Sequence, residues 1–327
     1  MAEATDAAGR RSALNGIKLR ALSGASGDAV ALGTGAALLH DGGAWVLLDE
    51  QPVRRLGAAL AWALRQGAER LDVVADTGTG VLARRAGEFA LPIGVWHSEG
   101  RTLLPAVTEP YDSPPALPAH HEAFRDLIVE GGATPLVESG VLVGEVAGLE
   151  VCRVVDDPHL GTTRLEVGTG AHDREAFQML HGDVPTVASL ARIVAAVAVC
   201  RQPGAPPHPL NRLAAERLLR WRLLEQPELI GAAALEAAEP PVRRENLKDP
   251  VPCVATGRRP DGTPLVVVCS AGVDLDVVPY AADARLAHGE PGVGDLVIVT
   301  PSRDRLPVIV EIAGALRHSV AFASLDD

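Results

Sequence analysis

The chain has 327 residues, of which 47% are hydrophobic, 3% aromatic and 22% charged, so it is long enough for two domains or three small ones. Its formal net charge of −12 repels a polyanion at long range, so a nucleic-acid partner would need a locally basic groove. No apolar run reaches the roughly 18 residues of a membrane span. The polar N-terminal stretch "MAEATDAAGRRSALNG" lacks the apolar core of a signal peptide, so we expect a cytoplasmic protein.

A β-hairpin opens the first predicted α/β unit. From residue 36, "AALLHDGGAWVLLDE" has two apolar runs around Asp41-Gly42-Gly43, which favours a tight turn. The hydrophobic pattern then predicts a helix that starts near Pro52, a buried strand "LDVVAD", a helix "TGVLARRAGEFA" and a strand "IGVWH". The predicted order over residues 36–97 is ββαβαβ.

The middle of the chain has a different pattern. A helix "HHEAFRDLIVEGG" precedes two stretches with strand periodicity, "VLVGEVAGLEVCRVV" and "TRLEVGTG", and an apolar helix "TVASLARIVAAVAVC" follows them. The segment "RQPGAPPHP", residues 201–209, is predicted to be a linker, because its prolines and Gly204 disfavour regular structure.

The ββαβαβ order recurs over residues 251–325. A hairpin around Asp261-Gly262 is followed by a helix "DVVPYAADARLA", a strand "DLVIVT", a helix and the strand "SVAFASL". The recurrence predicts an α/β fold of mixed-sheet units related by internal duplication. The alternative is that a common α/β arrangement occurs twice. The predicted domains are 1–110, 111–207 and 208–327.

Residues 211–327 carry a family resemblance. A helix "ERLLRWRLLEQPELIGAAAL" precedes the hairpin "CVATGRRPDGTPLVVVCS", the helix "DLDVVPYAADARL", the strand "DLVIVT" and a final helix and strand. This element order resembles that of the restriction-endonuclease-like PD-(D/E)XK superfamily, especially the RecB-like catalytic domains of mismatch-type DNA endonucleases. The resemblance implies a nuclease-like fold and metal-dependent phosphodiester hydrolysis on DNA.

The catalytic signature of that superfamily is degenerate in the C-terminal unit. The resemblance implies an aspartate on the first hairpin strand and a glutamate and a lysine on the second, which together bind Mg²⁺ and offset developing charge. Here Cys253 and Cys269 stand near those positions, and a thiol is a poor Mg²⁺ ligand. The unit therefore resembles a catalytically inactive copy, in which both cysteines are predicted to be buried, unmodified strand residues.

The middle segment, residues 111–207, holds the candidate active site that the resemblance to the PD-(D/E)XK superfamily implies. The resemblance implies Glu122, Glu150 and Glu166 as ligands of Mg²⁺ or Mn²⁺, with Glu150 and Glu166 as the catalytic pair. Arg164, or else Arg153, would replace the lysine as the cation. Arginine is a weaker mimic, because its charge is delocalised and is not tuned by burial.

Two other interpretations of this segment remain open. Gly168 occupies the lysine position, so a slow enzyme or none is expected. Glutamates that alternate with apolar residues on a half-buried strand are also typical of a solvated strand face. The second functional hypothesis is therefore an inactive nuclease-like fold that serves as an interaction module. Its partner would be a protein or a nucleic acid, with no membrane involved.

Two further stretches offer weaker candidates. The loop "ADTGTGVLARR", residues 75–85, lies where a phosphate could bind exposed backbone N–H groups, with Arg84 and Arg85 nearby. It matches no nucleotide motif, and a tight turn capped by Thr77 or Thr79 is the alternative. The stretch "GAHDREAFQMLHGD" contains possible metal ligands, although its histidines are farther apart than in zinc motifs.

Overall fold

The computed structural model describes residues 2–111, 113–157, 161–170, 174, 187–202, 204–206, 208–242, 251–289 and 294–325. Within these ranges the protein has an α/β fold with three β-sheets, as the sequence predicted. None of the helices described there is both long enough and apolar enough to cross a lipid bilayer.

The first sheet contains six strands that lie side by side in chain order. They are β1 (Val30–Leu32), β2 (Gly35–His40), β3 (Gly43–Leu48), β4 (Arg70–Ala75), β5 (Ile93–Glu99) and β6 (Thr102–Pro105). Strands β3, β4 and β5 are parallel, and the other neighbours are antiparallel. Asp41 and Gly42 adopt positive φ between β2 and β3, which is the conformation of a two-residue hairpin turn.

Three helices belong to this part of the chain: α1 (Ala2–Ser23), α2 (Leu56–Arg65) and α3 (Thr79–Ala86). Helix α1 packs against β1, β2 and β3, α2 against β4, and α3 against β5. Strand β4 is buried along almost its whole length and does not alternate between apolar and polar residues. Its one buried carboxylate, Asp72, accepts a hydrogen bond from Trp96 Nε1 at 2.9 Å.

The second sheet is antiparallel, in the order β10-β9-β8-β7. Its strands are β7 (Thr134–Glu138), β8 (Val141–Val146), β9 (Leu149–Asp157) and β10 (Thr162–Val167). The helices α4 (Ala119–Glu122), α5 (Arg125–Glu130) and α6 (Val187–Arg201) flank these strands in the chain. Ile128, Leu165 and Leu190 join the helices and strands in one apolar core.

The third sheet contains β11 (Ala234–Ala238), β12 (Cys253–Arg258), β13 (Pro264–Cys269), β14 (Asp295–Val299) and β15 (Ala321–Ala323), again in chain order. The pairs β11–β12 and β12–β13 are antiparallel. Its helices are α7 (Ala215–Glu225), α8 (Val277–His288) and α9 (Pro307–Gly314), and α7 packs against β11, β12 and β13.

The first and third sheets have the same element order and the same strand order. Each follows αβββαβαβ, which extends the predicted ββαβαβ units by one helix and one strand. In addition, Phe89 and Leu316 form an antiparallel bridge, and each follows an Ala-Gly pair by two residues. Common ancestry of the two units stays a prediction.

The chain forms two compact units that are discontinuous in sequence. One contains Met1–Tyr111, Val273–Ile298 and Ser302–Phe322; the other contains Asp112–Gly272, Val299–Pro301 and Ala323–Asp327. In the first unit, α8 and α9 pack against α2 and α3. The sequence predicted three domains that are each continuous in sequence: 1–110, 111–207 and 208–327. In the structure, residues 273–298 instead pack with the N-terminal elements.

Several elements differ from the sequence predictions. Helix α1 and strands β1, β6, β7 and β11 were not predicted, and the single helix expected over "HHEAFRDLIVEGG" is the two short helices α4 and α5. The helix expected after residue 210 ends at Glu225. Pro227 lies two residues after the end of the helix, and Gly231 adopts a φ of 68°. The chain therefore turns between these residues and continues as β11.

Candidate functional site

Glu150 belongs to a buried ion-pair cluster on the second sheet. It is 3% exposed, and its carboxylate accepts hydrogen bonds from Arg153 Nε at 2.8 Å and Nη2 at 2.9 Å. Arg174 Nη1 donates a third hydrogen bond at 3.1 Å. Burial acts to lower the pKa of Arg153, but the hydrogen bond and charge of Glu150 outweigh burial and leave this pKa raised. The guanidinium therefore remains charged beside the carboxylate.

A β-bulge in β9 sets the direction of the Glu150 side chain. Gly144 pairs with Cys152 and Glu145 pairs with Glu150, so β9 has one more residue than β8 between these pairs. Side chains alternate between the two faces of a regular strand, and an extra residue reverses that alternation. Glu150 therefore reaches Arg153, three residues away, on the same face.

Glu166 reaches the same cluster from β10. It lies opposite Arg153 in the strand register, and its Oε1 accepts a hydrogen bond from Arg164 Nη2 at 3.1 Å. The hydrogen bond to Glu166 raises the pKa of Arg164. Arg174 Nε lies 3.5 Å from Glu166 Oε2, so this arginine contacts both Glu150 and Glu166. The structure therefore places Glu150 and Glu166 in one cluster, in which both contact arginine side chains. Their role as catalytic metal ligands stays a prediction.

Glu122, the third proposed ligand, has a different partner. It lies on α4 and forms a salt bridge with Arg125 on α5, three residues farther along. The hydrogen bond from Arg125 lowers the pKa of Glu122. Both groups are solvent-accessible, and the pair is typical of a helix surface.

Sequence reasoning missed another buried glutamate, which lies on the same sheet as Glu150 and Glu166. Glu145 is buried and lies opposite Glu150 on the neighbouring strand, an arrangement of like charges that destabilises a strand pair unless it is compensated. Arg217 Nη1 donates a hydrogen bond to Glu145 at 2.5 Å, and Arg220 Nη2 lies 3.7 Å from it. The two arginines come from α7, so no local pattern around Glu145 could indicate them.

The C-terminal hairpin places its two cysteines side by side. Cys253 and Cys269 are register partners on β12 and β13, and both are buried, which confirms that they are buried strand residues. The contact with Cys253 and the burial of the site raise the pKa of Cys269. A thiol held protonated in this way is a small hydrophobic side chain rather than a metal ligand.

The glycine-containing loop at 75–85 has no free cationic side chains at its helix. Arg84 Nε and Arg85 Nε donate hydrogen bonds to the two oxygens of Asp283, at 2.7 and 3.0 Å. Helix α3 begins at Thr79 after Gly78, which adopts a φ of 65° and makes no side-chain cap. Arg84 and Arg85 are therefore not available to an anion at this loop, because Asp283 occupies them. The threonine cap is wrong, because Gly78 is the N-cap residue, and phosphate binding by the backbone N–H groups stays a prediction.

A second group of polar side chains lies near the end of β9. His120 Nε2 and His121 Nε2 each lie 3.0 Å from Asp156 Oδ1. Thr163, the register partner of Asp156 on β10, donates a hydrogen bond from Oγ1 to the same oxygen at 2.7 Å. The hydrogen bond from Thr163 and the approach of the two imidazole rings hold the pKa of Asp156 well below its usual range. His120, His121 and Asp156 each offer one possible metal-ligand atom, and these three atoms all lie within 4.8 Å of one another.

One signal for this group was visible in the sequence, namely the adjacent pair His120-His121 in the stretch that also contains Glu122. Asp156 lies 35 residues farther along, so its approach depends on the fold. The candidate ligands His172, Asp173, His181 and Asp183 lie outside the described residues.

No protein-family model, curated protein or solved structure matches this chain.

Proposed function

We propose that the chain is a non-catalytic α/β protein whose nuclease-like fold serves as an interaction module, with a protein rather than a nucleic acid as its partner. The observation that carries this proposal is the pairing of Glu150 and Glu166 with Arg153, Arg164 and Arg174. A guanidinium group held against a carboxylate opposes the approach of Mg²⁺ to that carboxylate, because the two cations repel each other.

The charges of the cluster support the same conclusion. In a two-carboxylate metal site, the metal supplies most of the positive charge and activates the attacking water. Here three guanidinium groups already supply positive charge to Glu150 and Glu166. These residues therefore have the arrangement of a structural ion-pair network.

The choice of a protein partner follows from charge. The formal net charge of −12 opposes the approach of DNA or RNA. A protein partner lacks the dense, continuous negative charge of a nucleic-acid backbone.

The first prediction separates a structural role of the glutamates from a catalytic one. Replacing Glu150 with Gln should lower the free energy of unfolding by about 2–3 kcal/mol, because a buried carboxylate loses charge-assisted hydrogen bonds to two arginines. Carboxylates gathered to hold a metal repel one another in its absence, so neutralising one of them would instead raise stability. Urea denaturation without divalent cations measures the sign.

Glu236→Gln on β11 is the matched control, since Glu236 is an exposed strand glutamate and its replacement should change stability by less than about 0.5 kcal/mol. In parallel, labelled single- and double-stranded DNA is incubated with wild type and Glu166→Gln in Mn²⁺. Equal background from both proteins is expected. Cleavage by wild type that Glu166→Gln abolishes, or a gain of stability in Glu150→Gln, would contradict the proposal.

A further inference from the structure

The group formed by His120, His121 and Asp156 has the donor atoms of a transition-metal site. Two imidazole nitrogens lie 3.0 Å from one carboxylate oxygen. Ligands that surround a tetrahedral Zn²⁺ at about 2.0–2.1 Å are roughly 3.3 Å from each other. A small outward movement of the two rings would therefore make room for the ion.

His121 provides an independent observation. It is 6% exposed, and neither of its ring nitrogens has a hydrogen-bond partner that meets normal geometry. Its Nε2 is close to Asp156 Oδ1 but poorly aligned with it. A buried polar atom without a partner is destabilising, and a metal ion at Nε2 would satisfy this nitrogen without an N–H in line with the carboxylate.

The surroundings of Asp156 explain why its carboxylate holds this position. Thr163 lies directly opposite on β10, and its hydroxyl donates to Asp156 Oδ1. Such a hydrogen bond fixes the orientation of a ligating carboxylate. The two imidazole rings are nearly perpendicular, with centroids 4.6 Å apart, so adjacent residues direct Nε2 atoms toward one point from different directions.

The donor set favours one class of cation. Mg²⁺ and Ca²⁺ prefer sites made of oxygen ligands, whereas imidazole nitrogen favours Zn²⁺ and its neighbours in the first transition row. The side chains of His120 and Asp156 are 58% and 54% exposed, so water has access to the remaining coordination positions. Three protein ligands with water in an open position is a common arrangement for Zn²⁺.

We propose that His120, His121 and Asp156 bind one divalent transition-metal cation of the zinc class through the two Nε2 atoms and a carboxylate oxygen. The ion would join α4 to the β9–β10 hairpin. The site is separate from the Glu150 cluster and does not depend on the function proposed above.

The test uses Co²⁺ as a spectroscopic probe and Zn²⁺ as its competitor, with the full chain free of any added histidine tag. Wild type should bind one Co²⁺ with visible absorption, lose that absorption on addition of Zn²⁺, and unfold at a higher temperature with Zn²⁺ than without it. His120→Gln and Asp156→Asn should each weaken binding by at least about 100-fold, since loss of even an outer partner weakens metal binding by about 10–100-fold.

His40→Gln is the matched control. His40 Nε2 lies 3.3 Å from Asp41 Oδ2, and among the described residues this histidine–aspartate pair does not belong to a group of three possible ligands. This variant should keep wild-type Co²⁺ affinity. Both test positions are more than half exposed, and circular dichroism verifies that the variants fold. Absence of saturable binding to wild type, or wild-type affinity in either folded test variant, would overturn the proposal.

Discussion

At the scale of single residues, Asp283 is the most buried charge in the described part of the molecule. It is 0% exposed and accepts hydrogen bonds from Arg84, Arg85 and Tyr111. Burial and the charge of Asp283 raise the pKa of Tyr111, so its hydroxyl remains a donor. One carboxylate from α8 thus compensates two buried arginines of α3.

The second prediction concerns this carboxylate. Asp283→Asn should lower the free energy of unfolding by about 3–5 kcal/mol, because it leaves two buried guanidinium groups without a counter-charge. Tyr111→Phe, which removes only the hydroxyl group, should lower it by about 1–2 kcal/mol. Urea denaturation of both variants checks the order, and equal losses would show that the charge of Asp283 is not what stabilises the site.

Asp276, at the start of α8, gives the third prediction, on pH dependence. Burial, together with the charge of Asp274, raises the pKa of Asp276 to about 7, although the backbone N–H of Gly57 donates to it at 2.9 Å. In the unfolded chain the pKa is about 3.9. The folded state therefore holds the proton more tightly, so its contribution to stability is full below about pH 4 and is lost as the pH rises through about 7.

Asp276→Asn removes this titration and keeps an oxygen that can accept from Gly57. The variant should match wild type near pH 4 and exceed it by a few kcal/mol at pH 8. Stability curves of the two proteins, measured from pH 4 to 8, provide the comparison. Parallel curves would mean that Asp276 titrates alike in the folded and unfolded chains.

The residue scale is where sequence reasoning was weakest. It selected Glu150 and Glu166, which the family resemblance implied, but not Glu145, which also lies between apolar residues. Burial of Glu145 depends on Arg217, 72 residues away. Arg84 and Arg85 were similarly assigned to a loop, since nothing local indicates Asp283.

At the scale of elements, the approach of α2 to the start of α8 depends on one glycine. A Cβ built on Gly57 would lie 2.0 Å from the carbonyl oxygen of Leu275 and 2.3 Å from its carbonyl carbon. Both are backbone atoms, so a small rotation of a side chain cannot relieve the contact. Glycine at this position allows the helix and the segment before α8 to touch.

The fourth prediction follows from this contact. Gly57→Ala should lower the free energy of unfolding by several kcal/mol, even though alanine is favoured over glycine within a helix by about 1 kcal/mol. Gly314→Ala in α9 is the matched control, because a Cβ there meets nothing within 4 Å. The control should be neutral or slightly stabilising. A loss in both variants, seen in thermal denaturation, would point to a general effect of glycine replacement.

Sequence patterns predicted the secondary-structure elements better than they predicted the side-chain contacts. Both hairpins and the alternating helices and strands that follow them were identified, because tight-turn signals and buried apolar runs are local properties. Helix α1 was missed because its sequence is polar for much of its length. Strand β1 was missed because its three residues carry too little periodicity to be recognised.

At the scale of the whole molecule, one compact unit is built from distant parts of the chain. Helices α2 and α3 pack against α8 and α9, and the Phe89–Leu316 bridge joins equivalent ends of the two repeats. The recurrence of element order was visible in the sequence. The packing between helices of different repeats was not, since periodicity identifies an apolar face but not its partner.

The discontinuity of this unit has a consequence for synthesis on the ribosome. Residues 2–111 emerge first, but the helices that cover α2 and α3 follow only after the segment Asp112–Gly272. At about 5–20 residues per second, translation of that segment takes on the order of 10 s. During this interval Arg84 and Arg85 lack Asp283, and the apolar face of α2 is uncovered. We therefore expect this apolar surface to be exposed to aggregation until residues 273–322 have been synthesised.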